Sequence, residues 1–414
     1  VRAPVREAGE IPAPLIIEVA DPAAGFPATG RHEEYEDFLT KGDPEAPWVM
    51  PEDEWESISL NYTSGTTGRP KGVVYHHRGA YLMTMGTVIS WRMALYPKYL
   101  AIVPLFHCNG WNHSWMMPLL GGTLHCCRNV SAAFIFSTIA AEGITHFGGA
   151  PIVLNMLTNA TAAERRSFDH QVEVFTAAAP PPAATLQAIE KMNFNVTQVY
   201  GLTETYGHVT ECIWDDERWG HLNDEERAAI KARTGVAFPM MEEIDVFEPG
   251  TRTPVARDGA SPGEIMFRGN AVMKGYYRNP EAGEEAFVTG YLASGDIAVQ
   301  YPDGYIKITD RAKDIIISGG ENVSSVEIEG VLMAHPDVLL CAVVAKPDDR
   351  WGEVPFAFVE PTPNATPDST ALMNHCRERL AGFKTPKGIS FLELPKTSTG
   401  KIQKFKLREL ARTL

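Results

Sequence analysis

The chain is predicted to be an α/β protein. A large domain of parallel-sheet α/β layers with a β-rich subdomain is followed by a small, mobile α+β C-terminal domain. Three observations lead there. Strand-like, loop-like and helix-like segments succeed one another from residue 57 to residue 211. Two Gly/Ser/Thr-rich motifs stand at strand ends, where open parallel sheets carry ligand loops. The chain has 414 residues, too many for one compact core, so two or more domains are expected.

Residues 57–62 read as a strand running into a loop, 77–95 as a helix and 100–105 as a buried strand. Further strands are expected over 124–127, 145–147, 172–176 and 196–199, with a helix over 132–142. After Glu211 the pieces become shorter and more β-like, and 242–247 and 263–268 alternate as half-buried strands do. From Lys313 a small unit follows, with strands over 315–317, 339–344 and 356–359 and helices near 325–334 and 369–382. Ser324-Ser325-Val326-Glu327 is a helix start with an acidic residue in the first turn. The expected domains are 1–312 and 313–414, divided at the charged Asp310–Asp314 segment.

Residues 62–73 carry the densest chemistry. Thr63, Ser64, Gly65, Thr66, Thr67, Gly68 and Lys71 fall within nine positions. Glycines let backbone amides close on an anion, hydroxyls add donors and lysine adds a full charge, so the loop suits a polyphosphate. It is not the Gly-x4-Gly-Lys-Ser/Thr loop of common NTPases, because Pro70 precedes Lys71 and Gly72 follows it.

A net charge of −15 argues against nucleic acid as a partner. Anionic substrates must then be held by local Lys, Arg and Mg²⁺. No apolar run is long enough to span a membrane. The six cysteines, Cys126 and Cys127 adjacent among them, show no metal spacing and fit reduced thiols of a cytoplasmic protein.

The 62–73 segment resembles the signature loop of the adenylate-forming superfamily: acyl-CoA synthetases, luciferases and adenylation domains of peptide synthetases. Tyr200-Gly201-Leu202-Thr203-Glu204-Thr205 resembles its second signature and Ser294-Gly295-Asp296 its third. Asp310-Arg311-Ala312-Lys313-Asp314 resembles the hinge motif, and residues 395–401, Pro-Lys-Thr-Ser-Thr-Gly-Lys, the C-terminal lysine motif. In this family the signature loop follows a considerably longer stretch, so the chain looks like a fragment or a chain cleaved near its start. Phe106-His107-Cys108-Asn109-Gly110-Trp111, with residues 149–157, resembles one branch. That branch holds short- and medium-chain acyl-CoA synthetases, including methylmercaptopropionate–CoA ligases and plant-type acyl-activating enzymes. Asp310 replaces a Gly often found there, and Ser294 a usual Thr.

The resemblance implies ATP-dependent activation of a carboxylic acid to acyl-AMP, then transfer to CoA with release of AMP and pyrophosphate. It assigns the loop 63–71 to the β- and γ-phosphates, Thr203 to the α-phosphate and Glu204 to Mg²⁺. Tyr200 and Gly201, with Ala178, Ala179 and Pro180, would bind adenine; Asp296 would take the ribose diol, with Arg311 beside it. Lys401 would be the catalytic cation and Lys313 the hinge. His107, Trp111 and Gly149 would border the acyl pocket, with Trp111 and Trp115 on one helical face. Gly319, Gly320 and Glu321 would pass the CoA arm. The partners implied are the acid, ATP and CoA, and a homodimer is left open. Two other readings stay open: an adenylate former with a non-CoA acceptor (carrier-protein loading or luciferase-like), and a non-catalytic nucleotide-binding relative.

Overall fold

Alternating burial along the central strands sets the architecture. Leu100, Phe147, Val172, Val174, Phe194 and Val196 point into one core, with Ile135, Ile139, Leu154, Leu157 and Ile189 from helices. Tyr99, Ala101, Phe175 and Val199 point into another, against Trp91, Trp111, Met116 and Met117. A strand buried on both faces in this way belongs to a parallel sheet covered by helices on each side. In the computed structural model, which describes residues 15–63, 70–177, 183–362, 365–397 and 401–414, these strands form a seven-stranded sheet. Lys98–Ala101 lies between Thr123–Cys126 and His146–Gly149, and Val172–Thr176 and Phe194–Leu202 follow, all parallel. Gly207–Glu211 and Val236–Ala237 close that edge in antiparallel pairing.

The β-rich part is an antiparallel sheet of Met241–Phe247, Gly263–Gly269, Tyr291–Gln300, Phe287–Val288 and Ile306–Arg311. Ser57–Tyr62, Gly72–His76 and Gly275–Tyr276 form a third, three-stranded sheet. In the C-terminal part, Val338–Asp348 pairs with Gly352–Pro361 along its length, Ile316–Ser318 and Glu321–Val323 form a hairpin, and Gly388–Phe391 adds a parallel strand. By compactness the chain divides into Val1–Glu52 and Asp53–Leu414. Within the first unit, Ile17–Glu18 pairs with Glu33–Glu34 and a short helix, Tyr35–Leu39, follows.

Most expected elements form, with shifted ends. The helix over 77–95 stops at Ser90, because Trp91 turns in to stack on Phe175 at 3.6 Å and Arg92 takes a left-handed φ of 50°. The strand expected over 100–105 is Lys98–Ala101; Ile102 and Val103 stay buried beyond it. The helix expected over 369–382 is Ser369–Arg377.

The turn between Phe194–Leu202 and Gly207–Glu211 brings Gly201 opposite His208, so close that a Cβ at Gly201 would collide with the carbonyl of Gly207. Backbone cannot yield as a side-chain tip can, so Gly201→Ala should destabilise the fold by about 1–3 kcal/mol or more. Its denaturant midpoint should fall with an unchanged slope, whereas an unchanged midpoint would show that the pairing adapts.

Candidate active site

Strands 291–300 and 306–311 place Asp296 opposite Arg311. Asp296 is 3% exposed; its Oδ2 accepts from the Tyr200 hydroxyl at 2.6 Å and its Oδ1 lies 3.1 Å from Arg311 Nε. Ser294 keeps the hydroxyl that matters locally: its Oγ accepts from the Asp296 N–H at 3.0 Å, next to a left-handed Gly295. A buried carboxylate without its cation costs about 3–5 kcal/mol, so Arg311 holds this corner together. Tyr200, expected to offer a ring to adenine, is itself buried in the core beside Phe267, and its hydroxyl braces Asp296. Burial, with the adjacent carboxylate, pushes that hydroxyl well above its usual range.

On the phosphate side, the Thr63 N–H donates to the Lys71 carbonyl at 2.9 Å and closes the base of the loop. The Lys71 ammonium lies 4.6 Å from the centre of the Tyr276 ring, and the Tyr276 hydroxyl donates to Glu204 Oε1 at 2.8 Å. Thr203–Thr205 is a 3₁₀ turn whose Thr203 carbonyl accepts from the Tyr75 hydroxyl at 2.6 Å. Ser64, Gly65, Thr66, Thr67, Ala178, Ala179 and Pro180 lie outside the described residues.

Lys401 is tied into a tight turn. The Thr397 N–H donates to its carbonyl at 2.8 Å, and its own N–H donates to Thr397 Oγ1 at 3.1 Å. The side chain is open to solvent from one side, but surrounding protein, then Arg311, lowers its pKa to about 8 against the pull of Asp296, Asp314 and Glu204. The pKa of His107 is likewise lowered, first by burial and then by Lys401. Lys313 is lowered by burial, then by Arg311, with Lys71 and Arg408 adding to it. The fold thus gathers Lys401, Arg311, Asp296, Glu204 and His107, from four distant stretches of sequence, into one electrostatic cluster. Among the described residues no three His, Cys, Asp or Glu side chains group to hold a metal.

After His107 the backbone runs left-handed through five residues, Cys108 to Asn112, with φ between 44° and 67°. Such strain persists only when surroundings hold it. Here Asn109 Oδ1 accepts from Ser59, the Asn109 carbonyl from Ser114, and Asn112 Nδ2 donates to the Tyr206 carbonyl. The stretch corrects the expectation of one helical face: Trp111 is buried, and Trp115, in the separate helix His113–Leu120, is partly exposed and donates to the Tyr206 hydroxyl at 2.8 Å. The Trp111 ring packs over Gly148, where a Cβ would come within 2.9 Å, while the near neighbour of Gly149 is Val153. Trp111 also meets the His208 ring edge-on at 4.6 Å. Burial drives His208 and His113 down to about 3, so both are neutral, and the Nε2 of each is buried without a hydrogen-bond partner. Cys108 is pushed up to about 12 by burial and is no nucleophile. Gly319 and Gly320 form the left-handed tip of the 316–323 hairpin, and Trp351 packs where a Gly319 Cβ would sit. Glu321 is exposed beside it.

Tyr75, Tyr276 and His208 belong to the site and were not singled out from the sequence. The two tyrosines reach it through pairing of strands some two hundred positions apart. His208 did carry a signal, three residues past the end of the second motif.

A model of the AMP-binding enzyme family matches residues 8–277, and one of the AMP-binding enzyme C-terminal domain matches residues 327–401. A peroxisomal acetate/butyrate–CoA ligase of Arabidopsis thaliana is 48% identical over 412 residues, covering 97% of this chain and 72% of that protein. A peroxisomal trans-cinnamate:CoA ligase of Petunia hybrida is 46% identical over 382 residues, 92% of this chain and 67% of that protein. Among solved structures, ATP-bound MatB from Rhodopseudomonas palustris superposes with a TM-score of 0.79 at 26% identity, over 95% of this chain and 78% of that one. Two family models in series and relatives near half identity agree with the gathered motifs: the chain belongs to the AMP-binding enzyme family.

Proposed function

We propose that the protein is an AMP-forming acid–CoA ligase acting on a short-chain carboxylic acid. One observation carries the reading: Lys401, from the far end of the chain, comes within electrostatic reach of Asp296, Arg311, Glu204 and His107. In the first half-reaction the acid's carboxylate oxygen attacks the α-phosphorus of ATP and the bond to pyrophosphate breaks. Negative charge grows on the phosphoryl oxygens, and a preorganised ammonium answers it without reorganising water. Asp296 would accept from the ribose hydroxyls, Arg311 would fix that carboxylate, and Lys71 would face the outer phosphates. Glu204 is the carboxylate that would hold Mg²⁺, an ion commonly bound through one or two carboxylates with substrate phosphates completing the shell. When bound, it neutralises phosphate charge. In the second half-reaction the CoA sulfur attacks the acyl carbon, the thioester forms and AMP leaves.

The acid is proposed to be short because the chain after His107 leads into close-packed aromatic rings, Trp111 and Phe175 both meeting the His208 ring. The acetate/butyrate relative supports this; 3-methylmercaptopropionate is a further candidate of fitting size, and cinnamate is the bulkier rival. We place Lys313 as the hinge between the two half-reactions, with 313–414 as the mobile part, the 319–321 hairpin serving CoA, and a reducing compartment that suits six free thiols. The relatives make a peroxisomal matrix as fitting as the cytoplasm. No helix of the described residues is long and apolar enough to cross a membrane.

Pyrophosphate exchange over acids from acetate to decanoate, with thioether acids and cinnamate, tests the reading. CoA-dependent product release then separates it from a non-CoA acceptor. Absence of exchange with every acid would end the proposal.

Lys401→Ala should lose ATP-dependent activity by about a hundred-fold or more, as when one preorganised donor is removed. Given ready-made acyl-adenylate and CoA, it should form thioester at close to the normal rate. Loss there too would make Lys401 structural.

Because the ammonium must be charged, and its pKa in the free enzyme is about 8, kcat/KM for adenylation should fall as pH rises through about 8. Lys401→Arg keeps its charge and should move that limb to higher pH; an unmoved limb would assign it to another group.

Trp111→Ala should shift preference toward longer or bulkier acids with little change in KM for ATP. It should also cost about 3–5 kcal/mol of stability. A stability loss with unchanged acid preference would make Trp111 core only.

A further inference from the structure

The segment beside the proposed hinge carries bonds that the site does not use. Asp310 is 2% exposed, and its carboxylate accepts from the Arg311 N–H at 2.7 Å and from both the N–H and the hydroxyl of Ser325. Ser325 opens the nine-residue helix Ser325–Met333, so Asp310 also sets a negative charge against the positive end of that helix. Beside it, the Ser324 hydroxyl donates to the Thr309 carbonyl at 2.7 Å. The Ser325 hydroxyl accepts in turn from Lys404 Nζ at 2.7 Å, and the same ammonium reaches Glu329 Oε1 at 2.7 Å. Burial alone would ease deprotonation of Lys404, but Glu329, Asp314 and Asp310 outweigh it and hold the lysine charged. Lys404 begins the helix Lys404–Ala411, directly after the turn that carries Lys401, and Arg408 of that helix pairs with Asp314.

These bonds cross Lys313. Thr309 and Asp310 lie before it, in a strand fixed to the five-stranded sheet, while Ser324, Ser325, Glu329 and Lys404 lie after it. They are made in the one orientation of 313–414 that sets Lys401 in the cleft, and a rotation at Lys313 would break them. A glycine at 310 could make none of the side-chain bonds.

We propose that Asp310 is a positioning residue: through Ser325 and Lys404 it latches the C-terminal part in the orientation that delivers Lys401, and so biases the enzyme toward acyl-adenylate formation. This rests on the two-half-reaction reading above. The charged carboxylate is held by several hydrogen bonds, and its loss shifts the balance between orientations away from the latched one.

The test measures both half-reactions separately in Asp310→Ala, Asp310→Asn and Lys404→Met, with hydrogen exchange of the amides over 324–327. Asp310→Ala should slow pyrophosphate exchange about ten-fold or more. It should leave thioester formation from supplied acyl-adenylate equal or faster, and Asp310→Asn, which keeps one acceptor, should fall between. Lys404→Met should split the half-reactions in the same direction, and Ser325 should lose exchange protection in the Ala variant. Equal loss in both half-reactions, or no change in either, overturns the latch. If the unaltered enzyme shows no exchange with any acid, the proposed function fails; the protection of Ser325 still decides whether Asp310 holds the helix.

Discussion

The ion pair of Arg311 with the buried Asp296 is the fixed point on which the charges of the site depend. Arg311 acts on both Lys401 and Lys313, Lys71 and Arg408 add to it at Lys313, and Asp296, Asp314 and Glu204 oppose it at Lys401. In a chain of net charge −15 such a gathering of cations is local and has to be built by the fold. Two cations a few ångströms apart repel by several kcal/mol at the effective dielectric of a protein surface, about 4 kcal/mol at 4 Å. The depressed pKa of Lys401 comes first from the loss of water and then from repulsion by Arg311. A polyphosphate relieves it, so nucleotide binding and the approach of Lys401 must favour each other by equal amounts.

The acid side is built on the opposite principle. His107, His113 and His208 are all pushed toward the neutral form by burial. His113 stacks on Tyr99, and His208 meets Trp111 and Phe175 edge-on, so these two sit in an aromatic, uncharged cluster. The left-handed stretch 108–112 makes the boundary abrupt. An ordinary helical turn there would carry Trp111 around toward Trp115; the strained one buries Trp111 over Gly148 while leaving His107 at the cleft.

The parallel sheet and the charge-bearing motifs were legible because both are local. Strand 172–176, helix 132–142 and the cap at Ser324 can be read from a few adjacent residues. Glu204, Asp296, Arg311 and Lys401 stand in short patterns with a chemical purpose, and the fold does bring them together. What could not be read depends on distant pairing or rare backbone. Tyr276 meets Glu204 only because strand 275–276 joins strand 72–76. Spacing of four between Trp111 and Trp115 suggests a shared face only if the backbone is right-handed, and it is not. Tyr200 was assigned to the ligand by its ring, whereas its hydroxyl does the visible work on Asp296.

The polarity boundary also limits what acid can enter. If the acid sits as proposed, with its carboxylate at Lys401 and its tail toward Trp111, the tail meets an indole already packed on Gly148. Trp111 cannot swing aside cheaply: its backbone is left-handed, and its ring is caught between the glycine and the His208 edge. Lengthening the tail by one methylene gains about 0.8 kcal/mol of burial. Displacing a packed indole costs several times that. On that proposed placement each added carbon is a loss until the tail can repay the displacement, so the proposed site favours an acid that ends at the indole.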